Sequence, residues 1–310
     1  MAARLDAELV RRGLARSRRE AAALVAAGRV RVGGATVRRP AAPADGELEV
    51  DRPAGDAGWP SRAAHKLEGA LAALDAAGIG VPVEGAACLD LGASTGGFTD
   101  VLLRRGARRV VAVDVGHDQI VDRLRADARV DVREGVNARD LEAADLGERP
   151  AVVVGDLSFI SLGHVLPAVG RVAAADGSAL LLVKPQFEVG RDRLGAGGVV
   201  REPALREDAV LGVAEAAARS GWAVRAVVPS ALPGPHGNRE FFLLLVRTAA
   251  APAPGAGGPG RPQHGLGAAV RAAVAAPVEP ATDDWSAPPT PTAYVVGSEA
   301  ADEDNEGVGA

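Results

Sequence analysis

Four charged side chains stand where strands and helices would present them to one site: Lys66 in SRAAHKLEGAL, Asp156 in VVVGDLSFISL, Lys184 in LLLVKPQF and Glu240 in NREFFLLLV. Asp156 and Lys184 each follow an apolar run that reads as a parallel strand. Ligands of parallel sheets bind beyond the carboxyl ends of the strands, so both residues point at one crevice. Glu240 opens the last apolar run, and its beginning lies on the same edge if that strand runs antiparallel. Lys66 falls on a helix before the first strand and could cover the site. The lysines are informative because the chain has 35 basic residues and only two of them are lysine. A sequence that uses Arg wherever positive charge suffices keeps Lys where Arg cannot serve. One such task is giving up a proton, which a guanidinium does not do. The bland alternatives are Asp156 as a helix cap and Lys184 with Glu240 as a surface pair.

The segment LDLGASTGGFTDVLL, residues 89–103, places a glycine-rich turn between a strand and a helix. Gly92, Gly96 and Gly97 let the backbone approach a ligand, and the helix offers its free amides. Asp114 closes the next strand, VVAVDV, where an acid would meet ribose hydroxyls. Such a turn also serves dinucleotides, but the spacing Asp90-x-Gly92-x-Ser94-x-Gly96 sets a carboxylate before the first glycine. That carboxylate suits the cationic methionine end of S-adenosylmethionine and is unhelpful beside a pyrophosphate.

Positioning these residues takes an α/β frame. Apolar runs at 87–91, 110–115, 151–155, 179–183, 223–228 and 241–246 alternate mostly with helical stretches, as in a doubly wound parallel sheet covered on both faces. Residues 1–52 read instead as helix, helix and hairpin. Leu5, Leu9 and Val10 make an apolar stripe ending at Gly13, Ser17 and Glu20 form a capping box, and Gly33-Gly34 turns a hairpin. Residues 53–60 look like a linker. Residues 249–310, rich in Pro, Gly and Ala, are expected to be disordered, and their removal is expected to do little. Charge is polarised: residues 1–40 hold ten Arg against three acids, and residues 249–310 hold two Arg against eight acids. The basic end suits a phosphate backbone, with Arg4, Arg16, Arg18, Arg19, Arg29 and Arg31 as candidate contacts. A single cysteine, Cys88, excludes an intrachain disulfide. No Cys/His cluster suggests a metal, and no apolar run suggests a membrane span.

RLDAELVRRGLARSRREAAALVAAGRVRVGG resembles the S4 RNA-binding domain. Residues 61–248 resemble the FtsJ-like ribose methyltransferase fold, a Rossmann-like class I methyltransferase sheet with an antiparallel last strand. SRAAHKL, CLDLGASTGGFTDVLL, DLSFISL, VKPQFEVG and LPGPHGNREFF are similar to the TlyA family. The linker form GWPSRAA and the 62-residue tail depart from it. The resemblance implies a catalytic set of Lys66, Asp156, Lys184 and Glu240, a cytidine ribose of 16S or 23S ribosomal RNA as target, and S-adenosylmethionine as donor. The donor site would comprise Asp90, Gly92, Ala93, Ser94, Gly96, Gly97, Phe98, Asp114, Val115, Asn137 and Asp156. Lys184 as a neutral amine would be the base, Asp156 would orient both amines, and Glu240 would position Lys66 or the hydroxyl. A cytoplasmic monomer acting on ribosomal RNA or a ribosomal subunit, without metal or membrane, is expected. The competing readings are a ribosome-binding protein with an inactive methyltransferase domain and a membrane-active hemolysin, which would need an amphipathic segment not found here.

Overall fold

The computed structural model describes residues 3–15, 18–51, 58–248, 263–277 and 288–297. At the N-terminal end, α1 (Leu5–Arg11) packs on α2 (Arg18–Ala26). β1 (Val30–Val32), β2 (Ala35–Val37) and β3 (Leu48–Val50) form an antiparallel sheet in the order β2-β1-β3. Gly33 and Gly34 both have positive φ, as the two-residue hairpin between β1 and β2 requires. Leu5, Leu9, Leu24, Val25 and Val30 close this small core. Of the candidate RNA contacts, Arg4 and Arg18 lie 2.9 and 3.3 Å from Asp6, and Arg31 lies 2.9 Å from Glu49. Each keeps half or more of its side chain exposed, so its acid orients the guanidinium without removing it from solvent. Arg29 is half-buried. Arg16, the side chain of Arg19 and the Ser17–Glu20 capping box lie outside the described residues.

The larger sheet contains β4 (Ala87–Leu91), β5 (Arg109–Asp114), β6 (Val130–Glu134), β7 (Val152–Gly155), β8 (Ser178–Val183), β9 (Trp222–Pro229), β10 (Phe241–Arg247) and β11 (Tyr294–Val295). Their spatial order is β11-β9-β10-β8-β7-β4-β5-β6. Neighbours from β6 to β8 pair in parallel, whereas β10 runs antiparallel to both β8 and β9. The helices are α3 (Ala63–Ala76), α4 (Gly97–Arg104), α5 (Asp122–Arg125), α6 (Ala143–Leu146), α7 (Leu166–Val172), α8 (Pro185–Glu188), α9 (Pro203–Arg219) and α10 (Leu266–Ala275). Because side chains alternate along a strand, each strand feeds two cores. Leu89 and Leu91 join the core of α7, α9 and α10, while Cys88, Val110 and Ala112 join that of α3 and α4.

Two expectations need correction. β6 was not anticipated, because VDVRE places charges at alternate positions. Here Asp131 is paid back by Arg109 of the neighbouring strand at 2.7 Å, so a charged edge strand is stable. The stretch after residue 248 is not disordered throughout: it contributes α10 and β11. Its Ala and Val residues recur at helical spacing, and Ala269, Val270, Ala273 and Val274 are buried against the sheet. Composition averaged over 62 residues concealed that local period.

Candidate functional site

The carboxyl ends of β4, β7 and β8 and the start of β10 meet at one point. Asp156 follows β7, with its amide donating to Leu91 O of β4 at 3.0 Å. Lys184 follows β8, and Pro185 begins α8 immediately after it. Phe241 pairs with Val183, so the antiparallel register sets Glu240 beside the end of β8. Lys184 Nζ lies 2.6 Å from Asp156 Oδ1 and donates to Ser158 Oγ at 2.8 Å. Lys66 Nζ, on the first turn of α3, donates to Glu240 Oε2 at 2.5 Å. Gln186 Nε2 donates to the other oxygen of Glu240 at 3.3 Å. Lys66 and Lys184 are only 4% and 7% exposed. Buried charges persist when paired, and unpairing one of them would be expensive.

These distances join the four expected catalytic side chains as two pairs, with the register of β10 on β8 setting Glu240 beside the strand end that carries Lys184, and change one assignment. Asp156 was expected to orient both amines, but it contacts Lys184, while Glu240 holds Lys66. The site consists of two ion pairs, because the two amines enter from different elements, a strand end and a helix. Glu240 accepts from Lys66, the contact that one of its two anticipated roles requires.

A cavity of about 160 Å³ opens beside Lys184 and Asp156, lined also by Gly92, Ala93, Ser94, Gly97, Phe98 and Ser158 and, from the start of α3, by Ser61 and Ala63. Glycine at 92 is a steric necessity, since a Cβ there would lie 2.9 Å from the carbonyl oxygen of Asp156. Asp114 organises the turn: Oδ2 accepts from Ser94 N at 2.8 Å and Oδ1 from Gly116 N at 2.7 Å. Ser94 is thereby held at φ 47°, a conformation that ordinary side chains rarely adopt. Asp90 sits behind the turn. Its Oδ2 accepts from Thr99 Oγ1 at 2.7 Å, while Oδ1 is buried without a hydrogen-bond partner. Burial pushes the Asp90 carboxyl up to about 7, against the opposing hydrogen bond from Thr99. Gly96 packs on Leu124 and Ile120, behind the cavity. Of the remaining candidates, Val115 is 70% exposed just past β5, and Asn137 caps the short turn Ala138–Asp140 by accepting from Arg139 N. Neither lines the cavity.

Sequence reasoning missed several supporting groups. Ser158 is the second partner of Lys184, and the spacing Asp156-x-Ser158 was its available signal. Glu188 ties the Asp156 loop to α8, accepting from Ser161 Oγ at 2.6 Å and Leu162 N at 2.9 Å. Burial raises its carboxyl above the usual range. Phe159 is 91% exposed at φ 64°, with its ring 5.3 Å from that of Phe187. An exposed ring backed by the half-buried Phe187 beside buried charges is available to a planar partner. Among the described residues no group of three acidic, His or Cys side chains could hold a metal ion, and no helix is long and apolar enough to cross a membrane.

The family profile described as FtsJ-like methyltransferase matches residues 59–247, and the S4 domain profile matches residues 3–50. Over 244 residues the chain is 52% identical to the 16S/23S rRNA (cytidine-2′-O)-methyltransferase TlyA of Mycobacterium tuberculosis, covering 78% of this chain and 89% of that one. It is 32% identical over 188 residues to the 23S rRNA (cytidine-2′-O)-methyltransferase TlyA of Campylobacter jejuni, covering 60% and 70%. A solved structure of a hemolysin candidate from Streptococcus thermophilus superposes with a TM-score of 0.66 at 36% identity, covering 88% of this chain and 94% of that one.

Proposed function

The chain belongs to the TlyA family of FtsJ-like methyltransferases, and on that premise we propose that it methylates the 2′-hydroxyl of a cytidine ribose in ribosomal RNA, using S-adenosylmethionine. The observation that carries the reading is the pair Lys184–Asp156 set into the wall of the cavity that the glycine-rich turn creates. When bound, S-adenosylmethionine supplies an activated methyl group on a positively charged sulfur. The residues present fit it. Asp90 Oδ1 is a buried acceptor in want of a donor, which an ammonium group would satisfy. Asp114 keeps one lone pair on each oxygen for ribose hydroxyls, and the turn is cut so close to Asp156 that only glycine fits at 92.

A ribose hydroxyl is a weak nucleophile that must lose its proton as it attacks. Lys184 takes that proton on Nζ once its own proton has passed to Asp156 across their 2.6 Å pair, and Asp156 and Ser158 fix where Nζ stands. Lys66, held by Glu240, lends positive charge to the same end of the sheet. Holding the hydroxyl and the methyl carbon in line supplies much of the rate. Phe159 and Phe187 offer a stacking face for a nucleobase. Residues 1–52 form the RNA-binding module, 53–60 the linker and 61–248 the catalytic domain, onto whose sheet and core α10 and β11 pack, and the exposed arginines of the module meet RNA phosphates. A protein acting on ribosomal RNA works in the cytoplasm.

The test is Lys184→Arg, which keeps the charge and removes the capacity to accept a proton. Single-turnover transfer of labelled methyl to ribosomal RNA should slow by about 10²–10⁴-fold, with affinities for donor and RNA little changed. A variant that keeps more than about a third of the wild-type rate constant would remove Lys184 as the base, since base loss costs about 10²-fold or more.

A further inference from the structure

Residues 263–277 and 288–297 lie beyond the residues matched by the family profile, yet both stretches pack at the edge of the sheet nearest Glu240. Gln263 clamps the backbone of β9, accepting from Val224 N at 2.8 Å and donating to Val224 O at 3.1 Å. α10 then buries Ala269, Val270, Ala273 and Val274 in the core shared with α9. Farther on, β11 pairs with Val227 and Ala226 of β9, and Val296 N donates to Arg225 O at 2.9 Å. Ala293 packs into the opposite core, the one built on α3 and α4. The segment therefore touches both faces of the sheet and the edge between them.

Two of its contacts fall on the supports of the Lys66–Glu240 pair. On α3, Gly69 follows Lys66 by three residues and so lies on the same side of the helix. A Cβ at Gly69 would lie 3.0 Å from the Ala231 side chain and 3.5 Å from Pro291 Cδ, so this turn of α3 is seated against Pro291 and the loop that leads to Glu240. Arg62 Nη2 donates to Pro233 O at 3.1 Å, tying the start of α3 to that same loop. At the other support, Arg239 Nη2 donates to Ala276 O at the end of α10, and Arg239 is the neighbour of Glu240 in the chain.

We propose that this C-terminal segment is a positioning element of the methyl-transfer site: Pro291 seats α3, Arg239 anchors the start of β10 to α10, and together they set the placement of Lys66 against Glu240. Neither residue touches the cavity at the glycine-rich turn, and Ser61 and Ala63, which line it from the start of α3, precede the turn of α3 that Pro291 seats, so the segment acts chiefly on the ion pair. The inference rests on the reading of Lys66 and Glu240 as parts of the catalytic set. It replaces the expectation that the region after residue 248 is dispensable.

The experiment uses the full chain carrying Pro291→Gly or Arg239→Gln, each alone and combined with Lys66→Met. Single-turnover methyl transfer to ribosomal RNA, donor affinity by calorimetry and thermal unfolding are measured for all. A displacement near 1 Å at a reacting site costs up to about 10²-fold, so each single variant should slow transfer about tenfold or more with donor affinity within about twofold of wild type. Arg239→Lys, which can still donate to Ala276 O, should recover most of the rate. In the Lys66→Met background neither change should slow transfer further, because the pair through which they act is already gone. Wild-type rates in both single variants, or equal losses with and without Lys66, would overturn the proposal. A Lys66→Met protein that transfers methyl at the wild-type rate would instead overturn the underlying assignment of Lys66.

Discussion

Replacing Asp90 by Asn should move stability and donor affinity in opposite directions. Burial is the main cause that raises the Asp90 carboxyl from 3.8 to about 7, so the folded protein holds this proton more tightly than the unfolded chain. The unfolded carboxyl ionises near its ordinary value. As pH rises through the window from about 4 to 7, the folded state retains a proton that the unfolded state has lost, and stability falls; above about 7 the full penalty is present. Three units of separation amount to about 4 kcal/mol. Asn removes that penalty and can still accept from Thr99, but its amide nitrogen would occupy the partnerless Oδ1 position at a cost of about 1–3 kcal/mol. The ligand-free variant should therefore be more stable at pH 8 by about 2 kcal/mol, a rise of roughly 4–8 °C in unfolding temperature. Donor binding should weaken about 10–100-fold, because a hydrogen bond to a charged group is lost. Wild-type affinity should rise with pH by up to about tenfold per unit below 7 and level off above it, with a proton released on binding, and this slope should vanish in the variant. Differential scanning calorimetry and titration calorimetry in buffers of different ionisation enthalpy read both quantities. An Asn variant that binds donor as well as wild type at pH 8, or that is less stable without donor, would refute the assignment of Asp90 as a strained acceptor waiting for a cation.

Asp114→Ala removes the acceptor for Ser94 N and Gly116 N as well as for ribose hydroxyls, so calorimetry should find donor affinity reduced by about 1–3 kcal/mol, with adenosine binding impaired in parallel. Deleting residues 1–58 should leave donor affinity intact and abolish methylation of ribosomal substrates in a labelled-methyl assay. RNA affinity of the intact chain should fall steeply and linearly on a log–log salt plot, and a deletion that leaves that slope unchanged would assign the phosphate contacts to the larger domain.

The four charged residues could be read in advance because each sits at the boundary of a strongly patterned element, where chain direction alone decides which end of the sheet it faces. Their pairing could not. Whether Asp156 meets Lys66 or Lys184 depends on the register of β10 against β8 and on how α3 lies, and neither is written in local periodicity. Ser158, Gln186 and Glu188 were missed for the same reason, since their partners are up to 54 residues away. β6 was lost because part of its charge is neutralised by Arg109 of the strand beside it and by Arg125, which the strand's own sequence does not show. The C-terminal helix was lost because an Ala/Pro/Gly-rich stretch was judged as one unit, although ten of its residues carry a clean apolar stripe.

Replacing nearly every lysine by arginine has a practical corollary. Amine-directed reagents usually scatter over a protein surface, and their products average many environments. Here the only side-chain amines are Lys66 and Lys184, both almost wholly enclosed at one end of the sheet. Apart from the chain's amino terminus, acylation or reductive alkylation can therefore report on a single location. The pace of labelling would count how often that location opens to solvent, and protection by a bound ligand would measure occupancy directly, so the chain carries a built-in footprinting probe where one is most useful.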